Sequence, residues 1–203
     1  MLQHPPAVRA AFEDAAATML ATVGRVEPHQ WELPALGVWT VRELTAHTLR
    51  AFTTIERYLA VEPSVDRVIV DAADYYRIGI SDPNVHASVA ERGRFAGAQL
   101  TDPLGECEAT TQRVLALVAS TADDDVVNTS LGQMMFVEYL ATRVAELALH
   151  TLDIQRACGL PLDVPSATSA VVVALMAEIA DPIALLLALT GRGTLPVDFN
   201  VLR

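Results

Sequence analysis

Residues 135–157 read MFVEYLATRVAELALHTLDIQRA, and the spacing of their side chains decides the fold. Leu140, Val144, Leu147, Thr151 and Ile154 recur at steps of four, three, four and three, which is the apolar stripe of an α-helix facing a core. Gly159 and Pro161 supply the stop, so one long helix is expected from about Met135 to Ala157. A polar line runs directly alongside the stripe: Arg143, Glu146, His150 and Asp153, at steps of three, four and three. Side chains so spaced share one helix face, here at the edge of the core or inside it.

Outward from this helix the helical period dominates and strand alternation is nearly missing. A first helix is expected from about Pro6 to Val23, on Val8, Phe12, Ala15, Met19 and Val23, followed by a connector to Val38. Thr40 and Glu43 form a capping box, in which hydroxyl and carboxylate satisfy orphan backbone N–H groups, with Trp39 and Leu44 placed as a hydrophobic staple. The helix they start should run to about Leu59 and bury Val41, Leu44, Thr48, Phe52, Ile55 and Leu59. Glu62–Ser81 reads as connector with some helix, Val65–Val70 being either a short strand or a helix start. Asp82-Pro83 and Asp102-Pro103 are cap-then-proline starts for helices over 83–99 and 103–120, or for one bent element. Asp123–Gly132 is a loop in which Val126–Asn128 pairs briefly at most. Ser166 caps a helix to Ile179, and Asp181-Pro182 opens a short last one ending at Gly191. The expectation is an all-α, up-and-down helical bundle over residues 1–160, with a short helical extension over 161–203 packed on it.

Composition narrows the function. The chain has 203 residues, 52% of them hydrophobic, enough for a sizeable core without disulfides or structural metals. With 14 basic against 25 acidic residues the net charge is −11, a field that repels a phosphate backbone, so no nucleic-acid partner is expected. The most apolar stretch, Ala170–Leu189, is broken by Glu178, Asp181 and Pro182, so no membrane span is expected. Met1–Arg9 has no apolar signal core, and the two cysteines, Cys107 and Cys158, suit a reducing compartment. A cytoplasmic protein is the expectation, with a homodimer left open.

Of the five histidines, His4 and His29 lie in proline-containing segments and His86 in a first helical turn, all three read as solvated. His150 is different, because Glu146 stands one turn before it. His47 flanks the stripe of the second helix in the same way. Two readings stand: a solvated charge face with i,i+3 and i,i+4 pairs, or a metal site. In the second, Glu146 and His150 supply two ligands and a histidine of a neighbouring helix a third. Two imidazoles and a carboxylate suit Zn²⁺, Ni²⁺ or Fe²⁺, and three protein ligands leave positions open, as catalytic sites do. Asp153 is placed to accept the second ring N–H of His150. A metal held this way should be lost below about pH 6, near the reference histidine pKa.

Two segments carry a resemblance. Trp39 to His47 (WTVRELTAH) resembles the W-T-V-x-x-L-x-x-H motif of the mycothiol-dependent maleylpyruvate isomerase N-terminal domain family, within the DinB-like superfamily. Arg143 to Asp153 resembles its second motif, R-V-x-E-L-x-x-H-x-x-D, and Leu186–Arg192 resembles a common family ending. The resemblance implies a DinB-like four-helix bundle with a divalent metal, zinc first, held by His47, Glu146 and His150. It also implies a metal-dependent enzyme of the isomerase type, a low-molecular-weight-thiol S-transferase in which the metal activates mycothiol towards a small-molecule electrophile. Arg143 and Asp153 are then the candidate cofactor-binding side chains, and Arg143 or Arg50 candidate anion partners, with snorkelling or pairing within their helices as the alternative. After Gly159 the only basic residues are Arg192 and Arg203, a poor provision for a dianionic keto-acid. Metal-assisted hydrolysis, and a non-enzymatic metal-binding interaction module, are the rival readings.

Overall fold

A computed structural model describes residues 4–61, 67–81 and 91–202, together with the helical backbone of 83–90. The protein is mostly helical: α1 (Pro5–Val23), α2 (Val41–Thr48), α3 (Arg50–Leu59), α4 (Ala72–Ile80), α5 (Pro83–Gln99), α6 (Pro103–Ser120), α7 (Phe136–Ala157), α8 (Ser166–Ile179) and α9 (Pro182–Leu189). One antiparallel hairpin, β1 (Val126–Thr129) and β2 (Gly132–Met135), interrupts them. Among the described residues no helix is long and apolar enough to cross a membrane.

The long helix lies at the centre. α7 packs against α1, α2, α3, α4 and α8, while α6 packs against α1 and α3. Leu140, Val144, Leu147 and Ile154 of its stripe are wholly buried. Beyond it, Phe12 and Phe52 meet edge to face with centroids 5.8 Å apart. Gly159, at φ 65°, ends the helix, and Leu160 N–H reaches back to the Gln155 carbonyl.

The capping box of α2 is formed as expected: the Glu43 N–H donates to Thr40 Oγ1, and the Thr40 N–H donates to Glu43 Oε2. The single helix expected to Leu59 is instead two, broken at Leu49. Thr48 stands at the break, its hydroxyl donating to the Leu44 carbonyl at 2.7 Å. Asp102 caps α6 through the Gly105 N–H, so α5 and α6 are separate elements. The expected cap at Asp82 lies outside the described residues. Ser166 is not a cap: Pro165 occupies that place and offers no side-chain acceptor. Asp181 does cap α9 through two N–H groups.

Where only a loop with brief pairing was expected, the hairpin pairs four residues of each strand. Thr129 Oγ1 accepts the N–H groups of Leu131 and Gly132 and tightens its turn. Gly132 has φ 146°, and a Cβ there would lie 2.8 Å from the Arg67 carbonyl, so only glycine lets the 67–69 segment pair with β2. That pairing aims α4. Its first N–H groups meet carboxylates, Asp71 accepting from Asp74 and the buried Glu138 accepting from Ala72, a favourable charge at a helix start. α5 lies close along α2: a Cβ on Gly93 would be 2.5 Å from the Trp39 ring, and one on Gly97 would be 2.9 Å from Glu43 Cα.

Candidate metal centre

α2 and α7 are neighbours, and their contact brings His47 to the Glu146–His150 turn. Each of the three offers one ligand atom, and these atoms lie within 4.8 Å of one another. The two imidazole rings are 5.1 Å apart at 75°. On the other side of His47 the Trp39 ring stacks at 4.4 Å and fixes its plane. Among the described residues no fourth His, Cys, Asp or Glu joins the group.

The surroundings set the charges. His150 Nε2 is 3.2 Å from Glu146 Oε2, and its Nδ1 is 3.8 Å from Asp153 Oδ2, too long for a direct hydrogen bond. Burial alone would push His150 down, but the Asp153 and Glu146 carboxylates override it and hold the ring up at about 9. His47 goes the other way: burial, then the charge of His150, pushes it down to about 3. Burial would raise Glu146, yet the contact with His150, the charge of Arg143 and the Tyr76 hydroxyl hold it well below the usual carboxylate range. That hydroxyl donates to Glu146 Oε1 at 2.9 Å, and its own pKa is pushed well up, first by burial. Arg143 is buried between aromatic rings, 4.7 Å from Tyr139 and 5.8 Å from Tyr75, and stays charged.

These residues fit a divalent cation. Nδ1 of His47 is buried with no hydrogen-bond partner among the described residues, and Nε2 of His150 faces the ionised Glu146 carboxylate. Orphaned imidazole nitrogens of this kind are rare unless something else satisfies them. Two imidazoles and one carboxylate are a donor set for zinc or a similar borderline metal.

The protonation states change the expected pH dependence. In the metal-free protein His150, raised to about 9, stabilises the fold fully below about pH 6.5, and that contribution is lost as pH rises through 9. His47, lowered to about 3, has the opposite sign: its contribution is present above about pH 6.5 and is lost as pH falls toward 3. A metal must therefore displace a proton from His150 at every pH below about 9. Zinc titration calorimetry at pH 7.5, in two buffers of different ionisation enthalpy, should report close to one proton released. Affinity should rise about tenfold per pH unit from 6.5 to 8. The competition thus extends above the pH 6 expected from an ordinary histidine. Zero protons released would show that His150 is already neutral.

The site opens into a cavity of about 480 Å3, whose lining includes His47, Glu146 and His150. Arg143, proposed from sequence as a cofactor contact, lines it too. Asp153 does not, since it sits behind His150 and pairs with Arg156 at 3.4 Å. Sequence reasoning missed Trp39, Tyr75, Tyr76 and Arg92, which reach the cavity from three different places in the chain. Tyr75 and Tyr76 fell in a stretch whose period could not be read, and nothing local marks Arg92. Sequence reasoning names Arg143 or Arg50 as candidate anion partners and finds only Arg192 and Arg203 after Gly159. Arg192 is not part of the lining, and Arg50, Arg92 and Arg143 of the bundle are.

Searches among curated proteins and among solved structures return no match. A family profile does match: that of the mycothiol maleylpyruvate isomerase N-terminal domain, over residues 12–155. The matched span begins in α1 and ends in the last turn of α7, so it takes in His47, Glu146, His150 and Asp153. With most of its length and both halves of the site inside that span, the chain belongs to the mycothiol maleylpyruvate isomerase N-terminal domain family.

Proposed function

We propose that the protein is a metal-dependent enzyme using a low-molecular-weight thiol, an S-transferase or isomerase-like catalyst with mycothiol as the thiol. The observation that carries this reading is the convergence of His47, Glu146 and His150, without a fourth such ligand among the described residues, on the wall of a cavity of about 480 Å3. A cavity of that size is in the range that holds small organic molecules. Zinc is the first choice of metal, with Ni²⁺ and Fe²⁺ compatible with the same donors. When bound, such a metal supplies a thiolate at neutral pH from a thiol whose free pKa is near 8.5.

The chain's own residues do the rest. Tyr76 fixes one oxygen of Glu146 and leaves the other toward His150. Arg143 keeps that carboxylate ionised without pairing it away, because its guanidinium is held against Tyr139 and hydrogen-bonds Thr142 Oγ1. Asp153 steadies the His150 ring from behind. Trp39 and Tyr75 wall the cavity with apolar surface that limits water. We take the scaffold to be a DinB-like four-helix bundle over residues 1–160, with 161–203 an extension. In support, α1, α7, the α2–α3 pair and α6 touch in a closed ring.

The test is turnover of metal-loaded protein on a panel of electrophiles, with and without mycothiol. Conjugation or isomerisation that requires the thiol is expected. Turnover that proceeds equally without it would mean metal-assisted hydrolysis, and zinc binding with no turnover at all would favour the interaction module.

A further inference from the structure

We propose that Arg50 and Arg92 form a subsite for an oxyanion carried by the small-molecule substrate, which makes that substrate an organic acid or a phosphate ester. The inference rests on the reading above in taking this cavity as the seat of the substrate. Both side chains line the cavity that also holds His47, Glu146 and His150. Four other arginines are ion-paired, Arg9 with Asp123, Arg42 with Glu32, Arg113 with Glu56 and Arg156 with Asp153, and none of these four lines the cavity. Arg50 and Arg92 have no hydrogen-bonded or ion-paired partner among the described residues.

Arg50 is half-buried at the start of α3. Burial, then the charges of Arg92 and Arg57, holds its guanidinium below the usual value. Like charges gathered about one cavity, Arg50 half-buried and Arg92 at its exposed edge, repel each other unless something answers them. In a chain of net charge −11 they also oppose the general field and focus a local positive potential at the cavity. A guanidinium offers a planar fork of donors that matches an oxyanion, and two of them can hold one carboxylate or phosphate. Tyr58 and Ser130, which line the same cavity and are 3.4 Å apart, add neutral hydroxyls beside the cations. The reactive part of the substrate would then point at the histidines while its charge stays on the arginines.

The test titrates succinate, inorganic phosphate and neutral succinamide into chelator-treated protein by calorimetry. The variants are Arg50→Gln, Arg92→Gln and Arg25→Gln, the last an exposed residue outside the cavity lining that removes the same charge. Succinate or phosphate should bind the parent and be weakened about tenfold or more by Arg50→Gln and by Arg92→Gln, as loss of a charged hydrogen bond predicts. Arg25→Gln should change binding less than twofold, and succinamide should not bind. Which of the two anions binds tighter identifies the headgroup. Should Arg50→Gln fail to fold, Arg92→Gln on the exposed side of α5 decides. Anions that bind no better than succinamide, or an Arg25→Gln loss equal to that of Arg50→Gln, would overturn the inference. Zinc titration of the same proteins keeps the two readings apart. Full zinc affinity without arginine-dependent anion binding refutes only the subsite, and arginine-dependent anion binding in a protein that takes no zinc refutes only the metal.

Discussion

His150→Ala and His47→Ala should each lower zinc affinity by about a hundredfold or more. Removing a group behind a ligand typically costs roughly 10–100-fold, and removing one of three ligands must cost more. Asp153→Asn keeps all three ligand atoms and should fall inside that roughly 10–100-fold range, because the carboxylate 3.8 Å from His150 Nδ1 orients the ring without being a ligand. Glu43→Ala breaks the capping box of the same helix that bears His47 and should cost about 1 kcal/mol of stability, with zinc affinity unchanged. Chelator competition measures all four. The ordering separates a ligand set from a solvated charge face, in which every change would be mild. Zinc binding by His150→Ala at the parent's affinity would remove the centre of the mechanism. His150→Ala also strips Glu146 of its nearest cation, so the metal-free variant should melt lower than the parent at pH 7.

Phe52→Ala should produce the largest loss of stability. Phe52 is wholly buried and meets Phe12 edge to face, so its ring ties α3 to α1, and it does not line the cavity that holds the metal residues. Truncating a buried phenylalanine costs about 3–5 kcal/mol in lost transfer and cavity energy. For a chain of this length that lowers the melting temperature by roughly 6–20 °C. Zinc affinity of the folded variant should stay close to the parent's, since Phe52 is not part of the cavity lining. A melting temperature within 2 °C of the parent's would mean that the two rings do not share a core.

Where one helix carries both the pattern and the chemistry, the sequence was legible. Glu146 and His150 are four residues apart, and helical geometry alone puts them on one face. The capping box of Thr40 and Glu43 was legible for the same reason, being local. His47 needed more, since nothing near it says which helix it meets. Family resemblance supplied that partner, and the contact of α2 with α7 realises it. The break at Leu49 was hidden because the apolar period continues across it. Tyr76 and Arg92 were illegible on physical grounds. Each acts across the cavity on residues far away in the chain, and neither carries a local signal of burial, spacing or charge pairing. The same holds for the protonation of His150, which ordinary histidine chemistry puts near 6.5 and two carboxylates move to about 9.

Gly93 and Gly97 make the wall of the cavity a gauge. Arg92 stands beside the first of them, so the distance at which α5 rides on α2 fixes how far its guanidinium reaches toward the histidines. A methyl group at either position cannot fit against Trp39 or Glu43 without moving something. The easiest thing to move is the outer helix as a whole, which would widen the chamber and carry Arg92 outward with it. Substrate length is therefore adjustable at two positions that bear no functional group, Gly97 acting against Glu43 and Gly93 against Trp39, the ring that stacks on His47. A set of alanine and serine exchanges at 93 and 97, screened against acids of increasing chain length, would show the protein trading one substrate for a longer one.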